Sequence, residues 1–540
     1  MPTTYEIHPA IGIARLGSSR MGKEEGCFIG PEPGCPPPAK YRDPVGDLKR
    51  GVARFRIYVC ARDGRGHLLD ARELTLDGAN KITWMVHLAN RKGVARRQYG
   101  TRPGFRNNAT GDDDRDRELI INPGLRSVDR PGAHEIFDTG LFRSTRVPLG
   151  EIEMEPCGRL RVVGGHGRSG SDPQQSRLDL DKGHFADNDN WYDDTSDGPV
   201  RATIELTDGT IVQSTAWVIV APPDFAPGIK NLVTLYDVLY DLAIKRGILP
   251  SPADLPGGVS FVRHIQPILN RATGYRWVNR AAAFGYDKNG MGHWPGGVGD
   301  FSGQLSTLSD PSSAAQERRV ALFRRLRDPD STAILPEIGP FDLIPRLSDQ
   351  ERIRFGPGNV LSLTTTQYKI MRAWANGDFV NDLGSDPPRE QLLPDTLDRV
   401  TLEACVGGAL YPGIEASGYV MTDPTRFLDG EPFRLSTERV RPGEVTQYNA
   451  LPWQADFLYC RWEEIRGSRL HRLGWWPAQR PDDVFTTVGA KAMETWDRGL
   501  GPDYQDMIDW WDRLGMVVNR GTAEAPFFVE DERDIHSLGP

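Results

Sequence analysis

The spacing of apolar positions changes character along the chain. Over roughly the first 230 residues it has the period of two that a half-buried strand requires. Ala53, Phe55, Ile57, Val59 and Ala61 alternate with polar or half-exposed neighbours, and Asp63-Gly64 then supplies a turn. Residues 82–88 read as a further strand. Residues 147–154 with 160–163, and 200–206 with 210–219 across Asp208-Gly209, read as hairpins. Residues 101–117, rich in Asn, Gly and Asp, read as a surface loop. The period then lengthens. Leu232, Leu235, Tyr236, Leu239, Leu242 and Ala243 share one face of a helix over 231–246. Further helices are predicted near 260–270, 312–327, 364–376, 390–404, 452–466 and 503–514, separated by Gly- and Pro-rich loops. The Pro/Gly-rich stretch 250–258 is the expected boundary. The fold class is therefore α+β: a strand-rich N-terminal domain over 1–255, then a mainly helical, helix-and-loop C-terminal domain over 256–540.

Composition narrows the function classes. At 540 residues the chain exceeds one ordinary core, which agrees with two large parts. Its 74 acidic against 65 basic residues, net −9, argue against a nucleic-acid partner. The Arg pairs 96–97, 318–319 and 324–325 sit among acids and read as solvated helix faces. No membrane association is expected, because the longest aliphatic run, residues 216–221, is far too short to span a bilayer. Residues 1–17 lack a basic lead and an apolar core, so the expected location is cytoplasmic, with leaderless export as the alternative. Six widely spaced cysteines without a CxxC pair fit a reducing compartment. Ten His without HExxH or HxH spacing give no metal centre.

Two motifs prove to be decoys. Residues 165–170 satisfy GxGxxG after a strand, but Ser171-Asp172-Pro173 and a polar loop follow instead of the helix a dinucleotide site needs, so no NAD is expected. Residues 187–198 resemble an oxygen-rich calcium loop, yet lack the required glutamate and flanking helices. Their clustered carboxylates and aromatics make them a candidate wall of a site.

Chemistry concentrates near residues 448–462 and 474–482. Asn449 can cap a helix whose first turn suits Pro452. On that helix Trp453, Asp456, Phe457 and Cys460 form one stripe, with Leu458, Trp462 and Ile465 on another side. A buried Asp must find partners or stay protonated, and either state suits proton transfer. The bland alternative is an Asp bonded near the helix start, with Cys460 as a small core residue of a non-catalytic binding or scaffold protein. His264 and His293 read as structural groups, and Arg480 as a partner of Asp482–Asp483.

Several motifs together carry a resemblance: residues 7–17 (IHPAIGIARLG), 84–90 (WMVHLAN), 191–200 (WYDDTSDGPV), 363–374, Cys405-Val406-Gly407-Gly408 with Pro412-Gly413-Ile414-Glu415, and the stretch around Asp456. The chain resembles the LodA/GoxA-like quinoprotein amino-acid oxidases. That resemblance implies a cysteine tryptophylquinone made from Cys460 and Trp476, with Trp475 as the alternative indole, and no bound flavin. It implies Asp456 as base, Tyr192 beside the quinone, and Cys405 at the mouth of the substrate pocket. An amino acid or other primary amine would form a Schiff base on the quinone and lose its Cα proton to Asp456. O2 would then reoxidise the cofactor, giving ammonia and hydrogen peroxide. A separate flavoprotein modifying enzyme is implied for cofactor maturation, and a homo-oligomer is expected.

Overall fold

The computed structural model of the protein describes residues 3–63, 68–97, 104–176, 178, 185–284, 304–329, 362–385, 392–407, 414–459, 477–500, 504–522 and 525–534. Its framework is a twelve-stranded mixed sheet built before residue 222. The order across it is Arg126–Val128, Ala79–Val86, Ser196–Leu206, Ile211–Ala221, Ile11–Arg15, Arg50–Arg62, Leu160–Gly164, Gly150–Met154 and His134–Ile136. The 13-residue strand Arg50–Arg62 also pairs with Thr3–His8, Cys27–Ile29 and Leu68–Leu74. Most pairings are antiparallel, including both hairpins expected from the sequence. The pairing of Ile211–Ala221 with Ile11–Arg15 is parallel. Phe55 and Ile57 alternate inward from the long strand and are fully buried.

Helices dominate the second half. Leu235–Lys245 begins on a Thr234/Asp237 capping box, and Thr365–Asn376 on one made by Thr364 and Gln367. The latter ends at Gly377, whose φ of 89° is the left-handed conformation of a helix terminator. Pro394–Glu403 lies over Ile11–Arg15 and Thr3–His8. One large apolar cluster runs from the sheet into these helices. A second gathers Trp217, Leu235, Leu402, Cys405 and Phe427.

Two expectations need correction. The loop expected over 101–117 contains the helix Asp112–Leu119. Asp114 in its first turn complements the helix dipole, and Arg115 fastens the helix by donating to the carbonyls of Asn107 and Arg106, both at 3.0 Å. Asn449 does not cap the helix expected over 452–466. It is held one turn earlier, its amide bonded to Thr446 O at 3.1 Å. That helix is described over Trp453–Tyr459, and the remainder of the expected span lies outside the described residues. The GxGxxG stretch runs into the strand Ser169–Ser171 and opens no helix there. Among the described residues no helix is long and apolar enough to cross a membrane.

Candidate active site

The short helix Trp453–Tyr459 is buried on the stripe its sequence marks: Trp453, Asp456 and Phe457 are 2%, 6% and 1% exposed. Its first N–H groups have no partner within the helix. Asp193 reaches across from the strand Trp191–Asp193 and accepts the Trp453 N–H on Oδ2 at 2.9 Å. A carboxylate there also meets the positive end of the helix dipole. Asp193 is in turn held by Lys92 Nζ at 2.7 Å, by Asn90 Nδ2 at 2.9 Å and by Thr195 Oγ1 at 2.8 Å. Lys92 donates a second bond to Ala450 O at 2.9 Å, so the ammonium lies at the helix entry, close enough to attract the Asp456 carboxylate. Arg106 completes the grip with bonds to Asp187 Oδ1 at 2.8 Å and to the carbonyls of Ala186 and Asn449 at 3.0 Å. Within the acidic stretch 187–198, Asp187 and Asp193 thus stand behind this helix, matched by the buried cations Arg106 and Lys92.

The far end of the helix is fastened from the C-terminal side. Arg480 Nε donates to Phe457 O at 2.5 Å, while its other nitrogens meet Asp497 at 3.0 Å and Asp482 at 3.4 Å. The expected pairing of Arg480 is therefore structural, with Asp482 and Asp497 as partners. Gln479 is anchored by Asn231 Nδ2 and by the Phe225 N–H. Aromatic rings close the setting: Trp453 packs edge-on against Phe457 and Trp511, and Phe225 against Phe457 and Trp496. The two flanks of residues 460–476 consequently meet at one place. Cys460, Trp475 and Trp476 themselves lie outside the described residues.

Tyr192 and Asp193 are strand neighbours and face opposite ways. The Tyr192 ring lies 5.7 Å from Phe142, with its hydroxyl over Gly170. Cys405 is fully buried beside an ionic network in which Arg15 binds Glu415, and Glu415 accepts the Val406 N–H at 2.7 Å. Burial first, then Glu415, pushes its thiol well above the usual cysteine range. Asp224, its side chain 10% exposed beside Arg15, is raised to about 6 by desolvation. A cleft of about 610 Å³ reaches Arg15, Asp224 and Ala404 from the side of Val517 and Phe528. The strand Trp191–Asp193 thus links Tyr192 to the Asp456 helix, and Asp224-Phe225 links that helix to the surroundings of Cys405.

Two family descriptions match the chain: the N-terminal domain of L-lysine ε-oxidase over residues 8–220, and its C-terminal domain over 347–477. Together they span more than half of it. The chain belongs to the L-lysine ε-oxidase family. Across 98% of its length it is 25% identical to the L-lysine 6-oxidase of Marinomonas mediterranea, covering 90% of that protein. The crystal structure of the L-Lys ε-oxidase from the same organism superposes with a TM-score of 0.75 at 23% identity, over 98% of this chain and 95% of that one. Its Schiff base intermediate with L-Lys superposes with a TM-score of 0.74, at the same identity and coverage. The α+β architecture described above is the fold of those structures.

In this family member the sequence pointed to Asp456 but not to what holds it. Lys92 and Asp193 lie 101 residues apart, and no local spacing announces their pairing. Asp194 was equally hidden. It is 1% exposed, neither oxygen has a hydrogen-bond partner, and a Cβ placed on Gly165 would come within 2.5 Å of Oδ2. Desolvation raises its carboxyl to about 7, opposed by the nearby amides of Arg168 and Gly167 and aided by the charge of Asp193.

Proposed function

We propose that this protein is an amino-acid or primary-amine oxidase whose redox group is a cysteine tryptophylquinone formed from Cys460 and Trp476, or Trp475 in place of Trp476. The observation that carries this reading is a buried carboxylate, Asp456, on a helix clamped at both ends, in a chain of the L-lysine ε-oxidase family. The donor set fits the group. Arg480 ties Phe457 to the segment just after Trp476, so the stretch bearing the thiol and both indoles begins and ends at one anchored point. When formed, the group supplies an electron sink for the substrate nitrogen, and O2 accepts the electrons as hydrogen peroxide while ammonia is released. The protein's own part is proton transfer and positioning. Asp456 takes the Cα proton of the bound amine, a contribution of roughly 10²–10⁴-fold for a well-placed base. Its buried setting excludes competing water, and the Lys92–Asp193 clamp fixes the angle at which its helix enters. Tyr192 and Cys405 are assigned to the surroundings of the substrate, and a flavoprotein partner to cofactor assembly.

Intact mass of the protein co-expressed with a flavoprotein partner tests the cofactor. The expected mass exceeds that of the sequence by two oxygens less the hydrogens lost in cross-linking and in oxidation to the quinone, with the Cys460 and Trp476 peptides joined. The plain sequence mass with unlinked peptides would sink the reading and leave a non-catalytic protein on this fold. Asp456→Ala should abolish peroxide production from an amino-acid panel. Turnover surviving that change would remove Asp456 from the role of base.

A further inference from the structure

A second cluster of reactive groups lies on the sheet, outside the site just described. The strands Thr3–His8 and Arg50–Arg62 are antiparallel, with Thr4 opposite Cys60 and Glu6 opposite Tyr58. Glu6, His8 and Cys60 therefore project from one face, beneath the helix Pro394–Glu403. All three are buried, at 8%, 2% and 0% exposure, and one donor atom from each lies within 4.8 Å of the others. His8 is already oriented. Its Nδ1 bonds Asp398 Oδ1 at 2.9 Å, an oxygen also fixed by the Ala10 N–H at 2.6 Å, and its Nε2 faces Glu6 Oε2 at 3.1 Å.

We propose that Glu6 Oε2, His8 Nε2 and Cys60 Sγ form a divalent-cation site suited to zinc, with Asp398 holding the histidine ring from behind. Sulfur, imidazole and carboxylate are together the donor set of a borderline-soft tetrahedral ion. A histidine whose second nitrogen is tied to a carboxylate is the usual form of such a ligand. Zinc bonds of about 2.0–2.3 Å set ligand atoms roughly 3.3–3.8 Å apart in a tetrahedron, so side-chain adjustments of about 1 Å close the site. Around the site the carboxylates of Glu6, Asp395, Asp398 and Glu431 face Arg62, Arg434 and His8. The entering ion displaces the Cys60 thiol proton, and any proton on His8 Nε2, to solvent. Arg62 also holds Glu6 at 2.9 Å, and Arg434 Nη2 stands 3.5 Å from His8 Nε2. The competing description is therefore a closed, proton-held ion cluster with no affinity for metal.

Metal analysis and cobalt titration of the full-length protein separate the two. After chelation and gel filtration, added zinc should be retained at about one ion per chain. Cobalt should give a thiolate-to-metal charge-transfer absorption in the near ultraviolet. Cys60→Ala should lose that absorption and most of the zinc, and His8→Gln should lower zinc retention. Because His8→Gln also breaks the Asp398 contact and can fail to fold, Cys60→Ala decides. No retained zinc and no cobalt band in the unaltered protein overturns the proposal, as does metal retention that Cys60→Ala leaves intact.

Discussion

Removing the charge of Lys92 is the most direct test of how the Asp456 helix is held. Lys92 and Asp193 are 1% and 0% exposed in their side chains and 2.7 Å apart. Burial alone pushes the Lys92 amine below its ordinary range, and Asp193 pulls it back. Lys92→Met keeps the stem but leaves Asp193 as a buried carboxylate with only Asn90, Thr195 and the Trp453 amide for partners. Breaking one side of a buried ion pair costs about 3–5 kcal/mol. An unfolding entropy of about 2.1 cal/mol/K per residue gives about 1.1 kcal/mol/K for 540 residues unfolding as one unit, so the thermal midpoint should fall by about 3–5 °C. Asp193→Asn should act similarly, by stranding the ammonium. The decisive measurement is the double variant. Lys92→Met/Asp193→Asn leaves no uncompensated charge, so its midpoint should lie no lower than that of the worse single variant. Calorimetry at one scan rate and one pH reads all four proteins. If the double shift equals the sum of the single shifts, the two groups do not sense each other and the clamp is wrongly described.

Asp194 gives a pH dependence with a definite sign. Its folded value is raised to about 7 from an ordinary 3.8, so the stability of the protonated form is fully present below pH 3.8 and is lost as pH rises through about 7. That loss amounts to up to about 4 kcal/mol. Asp194→Asn, which cannot ionise, should therefore melt higher than the unaltered protein at pH 8 and nearly level with it at pH 4; a constant difference between them refutes the assignment. Thiol labelling of the native protein should modify exposed Cys35 well before buried Cys27, Cys60 and Cys405. Rapid labelling of Cys405 would contradict its enclosure by the Arg15–Glu415 network. Arg480→Lys keeps the charge but loses the fork that spans Phe457 O and Asp497. It should lower the yield of the proposed cross-link between Cys460 and Trp476 or Trp475 seen by mass, and an unchanged yield would mean that this tie does not matter for assembly.

Much of the framework could be read from periodicity. The strand seeded by Ala53, Phe55 and Ile57, both hairpins, and helices near 231–246, 364–376 and 390–404 appear where apolar spacing predicts them. Local pattern suffices there because a half-buried strand or helix records its own inner face. It fails at Asp112–Leu119, where a run of acids reads as solvated loop although the same charges suit a helix start. It fails again at Asn449, a residue of the right type to cap that is overtaken by a carboxylate 256 positions earlier in the chain, Asp193, with its own buried countercharge.

The same distinction explains what was legible in the site. Asp456 is conspicuous because an acid on an apolar stripe breaks the local pattern. Lys92, Asp193 and Arg106 break none, because each looks like an ordinary polar residue, and their burial depends on partners 358, 260 and 343 residues away in the chain. A side chain such as Asp456 cannot be held at one angle by a seven-residue helix alone, which is too short to be stable by itself. The rigid sheet supplies the missing constraint by capping that helix from outside, and Arg480 supplies it at the other end. With the clamp on the sheet and Asp456 on the helix, a segment of the C-terminal half has its position set by the N-terminal half. On this account a substitution in the sheet, far from Asp456 in sequence, should disturb proton transfer as strongly as one on the helix itself.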